Sequence, residues 1–388
     1  MDFSLTDEQR EMVNTVRKLR HKDLGPKAIK WLNGDFPYEN MKSLAAIGVL
    51  GMAVPHEYGG MDASVLDTVL VLEEISKGCY ATAMAALGEI GVQPRIIASY
   101  APEHLKRKFL PKVADGTGIL AICLTEPDAG TDVPNYKTNS RIVGDRVIVK
   151  GAKTLISRAD IADVLIVFTR VNDIPGAAGI GCVLVEKGTK GLTARPSYHT
   201  MGGEYLCDVV FDECEVPLDH LILRENSMKT LLNAFNTQRC LNASVCLGTA
   251  EGALEEAVRY MRDRKAFGKS IGDFQGMRWK AADMYIEVEA GRGLLYRAAV
   301  SGKPFPDRAL AAMAKIYCNE MAIRVTSEAV QVHGGYGFTD EFAVSRLFRG
   351  ARFGSLGGGT TETLRNFVGE HLVKRMDLTT GVFGLSRL

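Results

Sequence analysis

The sequence predicts an α+β chain in three parts: helical, then β, then helical. Two changes of hydrophobic period carry that prediction. Near residue 119 apolar residues spaced three or four apart give way to short apolar runs bounded by Gly, Pro and Asp, and near residue 225 the helical spacing returns. The third observation is size, since 388 residues are enough for two or three domains of roughly 100–200 residues each. The parts expected are a helical domain over 1–118, a β domain over 119–224 and a helical bundle over 225–388.

Asp2 and Thr6 can cap a first helix that opens with Asp7-Glu8-Gln9-Arg10. The apolar stretch 44–52 stops before Pro55, and His56-Glu57-Tyr58-Gly59-Gly60 reads as a turn. Residues 64–86 place Val65, Val69, Leu72 and Ile75 at helical spacing, the pattern of one amphipathic helix. A short helix follows Pro102. Residues 119–125 make a strand-length run, and 141–149 a hairpin turning at Gly144-Asp145. Short strands are expected at 164–169 and 180–185, with alternation again over 207–216. Helix-length segments then cover 228–261, 274–300, 307–333 and 361–376, and long helices with short connections form a bundle.

Composition excludes several function classes. The net charge is +1, from 47 basic and 46 acidic side chains, so nothing asks for nucleic acid or an anionic membrane. No apolar run reaches the roughly 18 residues that span a bilayer. The N-terminus, MDFSLTDEQR, has no signal-peptide core, and a cytoplasmic location is expected. The eight cysteines show no C-x-x-C and no zinc spacing, so reduced, mostly buried thiols are expected and a metal site is not.

Four stretches carry chemistry. Thr125-Glu126-Pro127-Asp128-Ala129-Gly130-Thr131-Asp132 follows the first strand of the β part. Its small and hydroxylated residues admit a flat ligand to the backbone, or form an ordinary strand-end turn. Residues 264–275 put Arg264 and Phe267 before a helix start at Gln275, which suits a pyrophosphate or a solvated basic loop. Gln331-Val332-His333-Gly334-Gly335 is a Gly-rich turn after a helix, or a plain C-cap. Ser355-Leu356-Gly357-Gly358-Gly359-Thr360-Thr361-Glu362 offers backbone N–H groups and space but few side chains. Alone it reads as a flexible loop.

In this order and spacing the four stretches resemble the acyl-CoA dehydrogenase family of flavoproteins, over nearly the whole chain. Pro55-His56-Glu57-Tyr58-Gly59-Gly60 and Leu72-Glu73-Glu74-Ile75 fit that family's N-terminal domain. The resemblance implies the acyl-CoA dehydrogenase fold: N-terminal helical domain, β-barrel-like middle domain and C-terminal four-helix bundle. It implies FAD as cofactor, an acyl-CoA substrate, and an electron-transferring flavoprotein or similar acceptor as partner. Thr125 would hydrogen-bond the flavin ring, and Thr131 stands where a serine is common on the thioester side. Ser157, in Thr154-Leu155-Ile156-Ser157, matches a flavin-contacting hydroxyl. Arg264 and Phe267 would hold the FAD of a neighbouring subunit, with Gln275, Gln331 and Gly335 completing the pyrophosphate and adenine site. Thr360 and Glu362 fall where the family meets FAD again. Arg239 matches the arginine of the CoA and active-site helix. A shared cofactor implies an oligomer, in this family usually a homotetramer.

The chain departs from the family where the catalytic base belongs. In the usual reaction a glutamate takes the α-proton while hydride leaves the β-carbon for flavin N5, and hydrogen bonds to the thioester carbonyl make that proton acidic. The glutamate stands in Tyr-Glu-Gly-Thr; here Gly357-Gly358-Gly359-Thr360 puts Gly358 in its place. Other members carry it just before the active-site arginine, where this chain has Gln238, near-isosteric but without useful basicity. Leu155 replaces a common tryptophan beside the flavin, and Gly350 breaks the usual Arg-Asp-Ala-Lys pattern.

Glu89 is the acidic residue of the small, apolar segment Ala86-Leu87-Gly88-Glu89-Ile90-Gly91-Val92. Alignment puts it on the helix lining the far end of the acyl pocket in relatives. There it would take a proton several carbons from the thioester, which needs a cyclic or unsaturated acyl group; otherwise it faces solvent or caps a helix. The candidate catalytic set is therefore Glu89, Gln238 and Arg239, in an FAD-dependent acyl-CoA dehydrogenase. Two subfamilies fit missing bases. One oxidises cyclohexene-carboxyl-CoA-type substrates. The other is a desulfinase that releases sulfite from 3-sulfinopropionyl-CoA without net oxidation, and it shares the glutamine before the arginine and Gly-Gly-Thr in the base loop. Its sulfinate-holding arginine aligns with Met84, and Arg95 is not at the matching position, which favours an apolar acyl group. A flavin-binding chain without catalysis is the third reading.

Overall fold

In the computed structural model, residues 4–375 are described. The N-terminal part contains α1 (Asp7–Leu19), α2 (Tyr38–Ala46), α3 (Val65–Gly78), α4 (Tyr80–Glu89), α5 (Val92–Tyr100) and α6 (Glu103–Ala114). Thr6 and Gln9 close a capping box at the start of α1. The single helix expected over 64–86 is two helices. The break falls at Cys79, whose backbone is extended, with φ −154° and ψ 105°. A Cβ on Gly78 would lie 2.7 Å from Arg20 Cγ, so the chain can turn closely past Arg20 there. The Cys79 thiol then accepts from the Thr82 N–H and starts α4. Both helices are apolar at the same period, so the sequence pattern ran through the break.

The middle part is a seven-stranded sheet of β1 (Leu120–Cys123), β2 (Asn139–Val143), β3 (Arg146–Ser157), β4 (Val164–Val171), β5 (Ile180–Glu186), β6 (Leu192–His199) and β7 (Tyr205–Pro217). Its order is β1-β4-β2-β3-β7-β6, with β5 also paired to β4. β1 runs parallel to β4, and β3 antiparallel to β7. The sheet curls on itself. On β4, Val164, Ile166 and Phe168 pack against α5 and α6, while Leu165 and Val167 pack inward with residues of β3 and β7. Both faces of β4 are buried, which is why it reads as an unbroken apolar run. β6 escaped the sequence reading because its residues are mostly exposed and carry no apolar alternation.

The C-terminal part holds α7 (Met228–Asp263), α8 (Gln275–Ala299), α9 (Arg308–His333), α10 (Ala343–Ala351) and α11 (Thr361–Arg375), with a short hairpin, β8 (Lys265–Ala266) and β9 (Lys269–Ser270), between α7 and α8. α7, α8 and α9 pack on one another, and one apolar core joins them to α3 and α4. α7 meets α3 closely at Gly248, where a Cβ would lie 2.1 Å from the Glu73 carbonyl oxygen. All eight cysteines are buried and unpaired. Among the described residues no helix is long and apolar enough to cross a membrane.

Candidate active site

The glycine run follows α10 as a loop tied to two helices of the bundle. From α9, the Lys315 ammonium donates to the carbonyls of Gly354 and Gly359, both at 2.9 Å, and the Asn319 amide donates to Gly354 at 2.6 Å. From α7, Asn242 reaches the Gly357 carbonyl at 3.5 Å. Gly358 and Gly359 sit at φ +69° and +92°, a region that favours glycine. A Cβ on Gly358 would meet only Lys315 Cε, at 3.8 Å. The space at Gly358 is thus open, beside a buried ammonium.

Gln238 and Arg239 precede Asn242 by about one turn, so all three share a face of α7. Arg239 is buried, and its Nη1 donates to Asn236 at 2.7 Å. Four buried polar atoms on this stretch have no protein partner: Thr237 Oγ1, Gln238 Oε1, Arg239 Nε and Asn242 Oδ1. Buried polar atoms are rarely left unsatisfied, so a row of them beside an open loop marks a place for a ligand. Burial first, and then Arg308, pull the Arg239 guanidinium down to about 10. Burial first, and then Arg239, pull Lys315 down to about 8. Thr360 accepts from the Thr363 N–H at 3.2 Å and so caps α11, while Glu362 lies exposed in its first turn.

The segments of Thr125 and Ser157 are brought together by the Thr154 N–H, which donates to the Thr125 carbonyl at 2.9 Å. Between them Leu155, at φ +57°, is 49 % exposed and presents an apolar surface; Thr131 lies exposed further along the loop. A buried ion pair fixes this loop, and the sequence reading missed it. Lys153 Nζ lies 2.8 Å from Glu126 Oε1 and 2.7 Å from the Leu124 carbonyl. The N–H groups of Lys137 and Thr138 donate to the same carboxylate at 2.6 and 3.0 Å. Burial pushes the Glu126 carboxyl up, but Lys153 and these donors more than offset it and hold it below the ordinary range. Burial pulls Lys153 down to about 8. The available signal was a lysine inside a long strand, two residues before Leu155.

Glu89 closes α4 and is 1 % exposed, so it neither faces solvent nor caps a helix start. Its carboxylate accepts from the Leu120 N–H at 3.3–3.4 Å and lies 3.8 Å from Arg158 Nη1. Burial pushes the carboxyl up to about 7; Arg158 and the Leu120 N–H lower it, and Asp163 raises it again. Arg158 holds a left-handed backbone at φ +53° and donates to the Ala85 carbonyl at 2.6 Å. It fits because Gly88 has no side chain: a Cβ there would lie 1.9 Å from its Nη2. Neither Arg158 nor the role of Gly88 was legible in the sequence.

Arg264, Phe267 and Gly335 lie exposed at the β8–β9 hairpin and in the turn after α9, while Gln275 opens α8 and Gln331 lies in the last turn of α9, both exposed. Phe267 is 95 % exposed. Among the described residues no hydrogen bond joins these turns to the Thr125 and Ser157 segments. The donor set fits FAD: an open apolar face at Leu155 beside Thr125, unsatisfied polar atoms on α7, and an exposed cation and aromatic suited to the pyrophosphate end.

Comparison with known proteins bears on the whole chain. The profile described as "Acyl-CoA dehydrogenase, N-terminal domain" matches residues 6–117, the corresponding middle-domain profile 121–214 and the C-terminal-domain profile 228–373. The cyclohex-1-ene-1-carbonyl-CoA dehydrogenase of Syntrophus aciditrophicus is 34% identical, with 95% of this chain and 91% of the relative aligned. The 3-sulfinopropanoyl-CoA desulfinase of Cupriavidus necator is also 34% identical, over 98% of this chain and 99% of its own. The structure of butyryl-CoA dehydrogenase from Megasphaera elsdenii superposes with a TM-score of 0.91 at 32% identity, covering 96% of this chain and 100% of that one.

Proposed function

The chain belongs to the acyl-CoA dehydrogenase family, and from that premise we propose that it oxidises a cyclic or unsaturated acyl-CoA with Glu89, not a residue of the glycine loop, as its base. The chain binds FAD, which supplies the hydride acceptor of the family's reaction. Thr125, Thr131 and Ser157 hold the flavin end. Arg264, Phe267, Gln275, Gln331 and Gly335 serve the pyrophosphate and adenine end of a neighbouring subunit's cofactor, in a homotetramer. Thr360 and Glu362 border the cofactor near the glycine loop. Gln238 and Arg239 orient the thioester from α7. Reoxidation falls to an electron-transferring flavoprotein or a similar acceptor.

One observation carries the reading. At Gly358 there is no carboxylate, whereas Glu89 is a buried carboxyl pushed up to about 7. A base near neutrality combines a deprotonated fraction with a useful affinity for the proton. Glu89 takes a proton remote from the thioester, which is acidic only when unsaturation connects the two. The test is anaerobic bleaching of the bound flavin by cyclic and linear acyl-CoAs. Cyclic, unsaturated thioesters are expected to bleach it and simple linear ones not. Full bleaching by a Glu89→Gln variant would sink the proposal. A lyase of the desulfinase kind is the second reading, favoured by Gln238 before Arg239 and by the likeness to the Cupriavidus necator enzyme. It predicts sulfite release with the flavin left oxidised.

A further inference from the structure

Arg158 stands between two carboxyls and is bonded closely to neither. On one side is Glu89, 3.8 Å from its Nη1. On the other is Glu204, half-buried in the loop between β6 and β7. β3 and β7 are antiparallel and in register at Ile156–Cys207 and Ser157–Leu206. Arg158, the residue after β3, therefore comes out beside Glu204, the residue before β7. The Glu204 backbone is pinned, since its N–H donates to Thr200 Oγ1 at 3.2 Å and its carbonyl accepts from the Thr200 N–H at 2.9 Å. Its carboxylate is held loosely. The Tyr80 hydroxyl donates to it at 3.5 Å, and Arg158 acts on it from beyond ion-pair distance. Tyr80 fits there because of two glycines. A Cβ on Gly202 would lie 2.4 Å from Tyr80 Cε1, and one on Gly350, where the sequence breaks the Arg-Asp-Ala-Lys pattern, 2.5 Å from Tyr80 Cγ. Tyr80 and Met84 are one turn apart on α4, and Arg158 donates to the Met84 and Ala85 carbonyls at 3.4 and 2.6 Å. Glu204, Arg158 and Glu89 thus follow one another along α4. Arg158 is buried, and its Nε has no protein partner. A guanidinium with a free donor and a loosely held carboxylate on each side rests where the two pulls balance.

We propose that Glu204 is a positioning residue for the chemistry of Glu89, acting through Arg158. Ionised, Glu204 draws the guanidinium toward β7 and keeps it from closing on Glu89. Neutral, it releases Arg158 to Glu89, and a closer cation weakens Glu89 as a base. Burial pushes Glu204 up to about 7, and Arg158 and then Tyr80 lower it, so it changes charge in the same range as Glu89. Arg158 acts on both carboxyls and is the link between them. The other titratable groups around this set are few. Asp163 raises Glu89, and the Cys246 thiol faces Tyr80. Asp160 accepts from the Cys207 thiol at 3.2 Å and, with Asp163, acts on the exposed Tyr38. The proposal rests on the reading of Glu89 as base, and its test follows the Glu89 proton itself.

The test is an infrared titration of the FAD-loaded protein in heavy water, with no substrate, from about pH 5 to 9. The protonated-carboxyl stretch that is lost on adding Glu89→Gln reports Glu89 alone, in the parent and in each variant. Its midpoint should fall by about one pH unit in Glu204→Gln, because an opposite charge brought into contact lowers a carboxyl by about 1–3 units. In Arg158→Met the midpoint should rise. Adding Glu204→Gln to Arg158→Met should then move it by less than about 0.3 unit, since the link is gone. A midpoint that stays or rises in Glu204→Gln overturns the proposal. So does a shift that persists without Arg158, which would make Glu204 act on Glu89 by another route. The absence of any such stretch across the range also overturns it, because Glu89 would hold no proton for Arg158 to govern. A Glu89→Gln variant that still bleaches its flavin fully removes the base reading and leaves the titration result standing.

Discussion

Glu126 and Glu89 are both buried, each faces a buried cation, and burial pushes both carboxyls toward the protonated form. At Glu126 the opposing groups win. Lys153 is 2.8 Å away and two backbone N–H groups donate at 2.6 and 3.0 Å, so the charge is paid for locally and the group stays ionised. At Glu89 they do not. Arg158 stands off at 3.8 Å, its Nη1 committed to a carbonyl of α4, and the Leu120 N–H is distant at 3.3–3.4 Å. Glu89 also ends a helix, where the peptide dipoles disfavour an anion. The same chemical group is thus held ionised in one place and pushed toward protonation in the other. The difference comes from donor count and distance, together with the deeper burial of Glu89.

Removing each carboxylate's partner function separates the two roles. Glu89→Gln should lower the rate of flavin reduction by about 100- to 10 000-fold, the usual contribution of a positioned base, with FAD content unchanged. In the parent protein that rate should rise with pH across about 7, as Glu89 loses its proton. Lys153→Met should do the reverse. It strands the Glu126 charge in the interior, at a cost of about 3–5 kcal/mol in denaturant unfolding, and it frees the Thr125 loop, so FAD is lost on gel filtration. If Lys153→Met keeps its FAD and stability, Glu126 is not a clamp.

The three-part fold was legible because its signals are long: helical period over dozens of residues, then short apolar runs, then helical period again. Gly358 and Gln238 were read as departures from an otherwise continuous resemblance, on the residues alone. Arg158 and Lys153 were not. Lys153 lies inside β3 and Arg158 just beyond its end, and nothing local says which carboxylate answers either charge. Glu89 and Arg158 are far apart in sequence and meet only because α4 packs against the end of β3. Gly88 reads as a weak spot in a helix, and its purpose appears only when the Arg158 guanidinium is seen in the space it leaves.

Gly88→Ala probes that fit. The added Cβ would lie 1.9 Å from Arg158 Nη2, so the guanidinium must move, at a cost of about 1–3 kcal/mol for an overfilled interior site. With Arg158 displaced, burial acts on Glu89 with less opposition, and the rise of flavin reduction with pH should move to higher pH. A variant that is destabilised but keeps the parent's pH profile would show that Arg158 is packing for α4 and does not govern Glu89.

The pH dependence of stability is the cleanest test of the contrast, because the two carboxyls are displaced in opposite directions. Glu89 has a folded value near 7, above the roughly 4.3 of an unfolded glutamate. The folded chain therefore holds that proton more tightly, and the stability Glu89 contributes is present below the unfolded value and is lost as pH rises through about 7. Glu126 has a folded value below the ordinary one. Its contribution is present above the unfolded value and is lost as pH falls through the folded value. Unfolding free energies of Glu89→Gln and Glu126→Gln, measured against the parent from about pH 2 to 8, should therefore diverge. Relative to the parent, Glu89→Gln should gain stability as pH rises from about 4 to 7, by up to about 3–4 kcal/mol, and Glu126→Gln should gain it as pH falls below the ordinary glutamate value. Slopes of the same sign would mean that the two pairs are not distinct in kind, and that Glu89 is a second clamp with longer bonds.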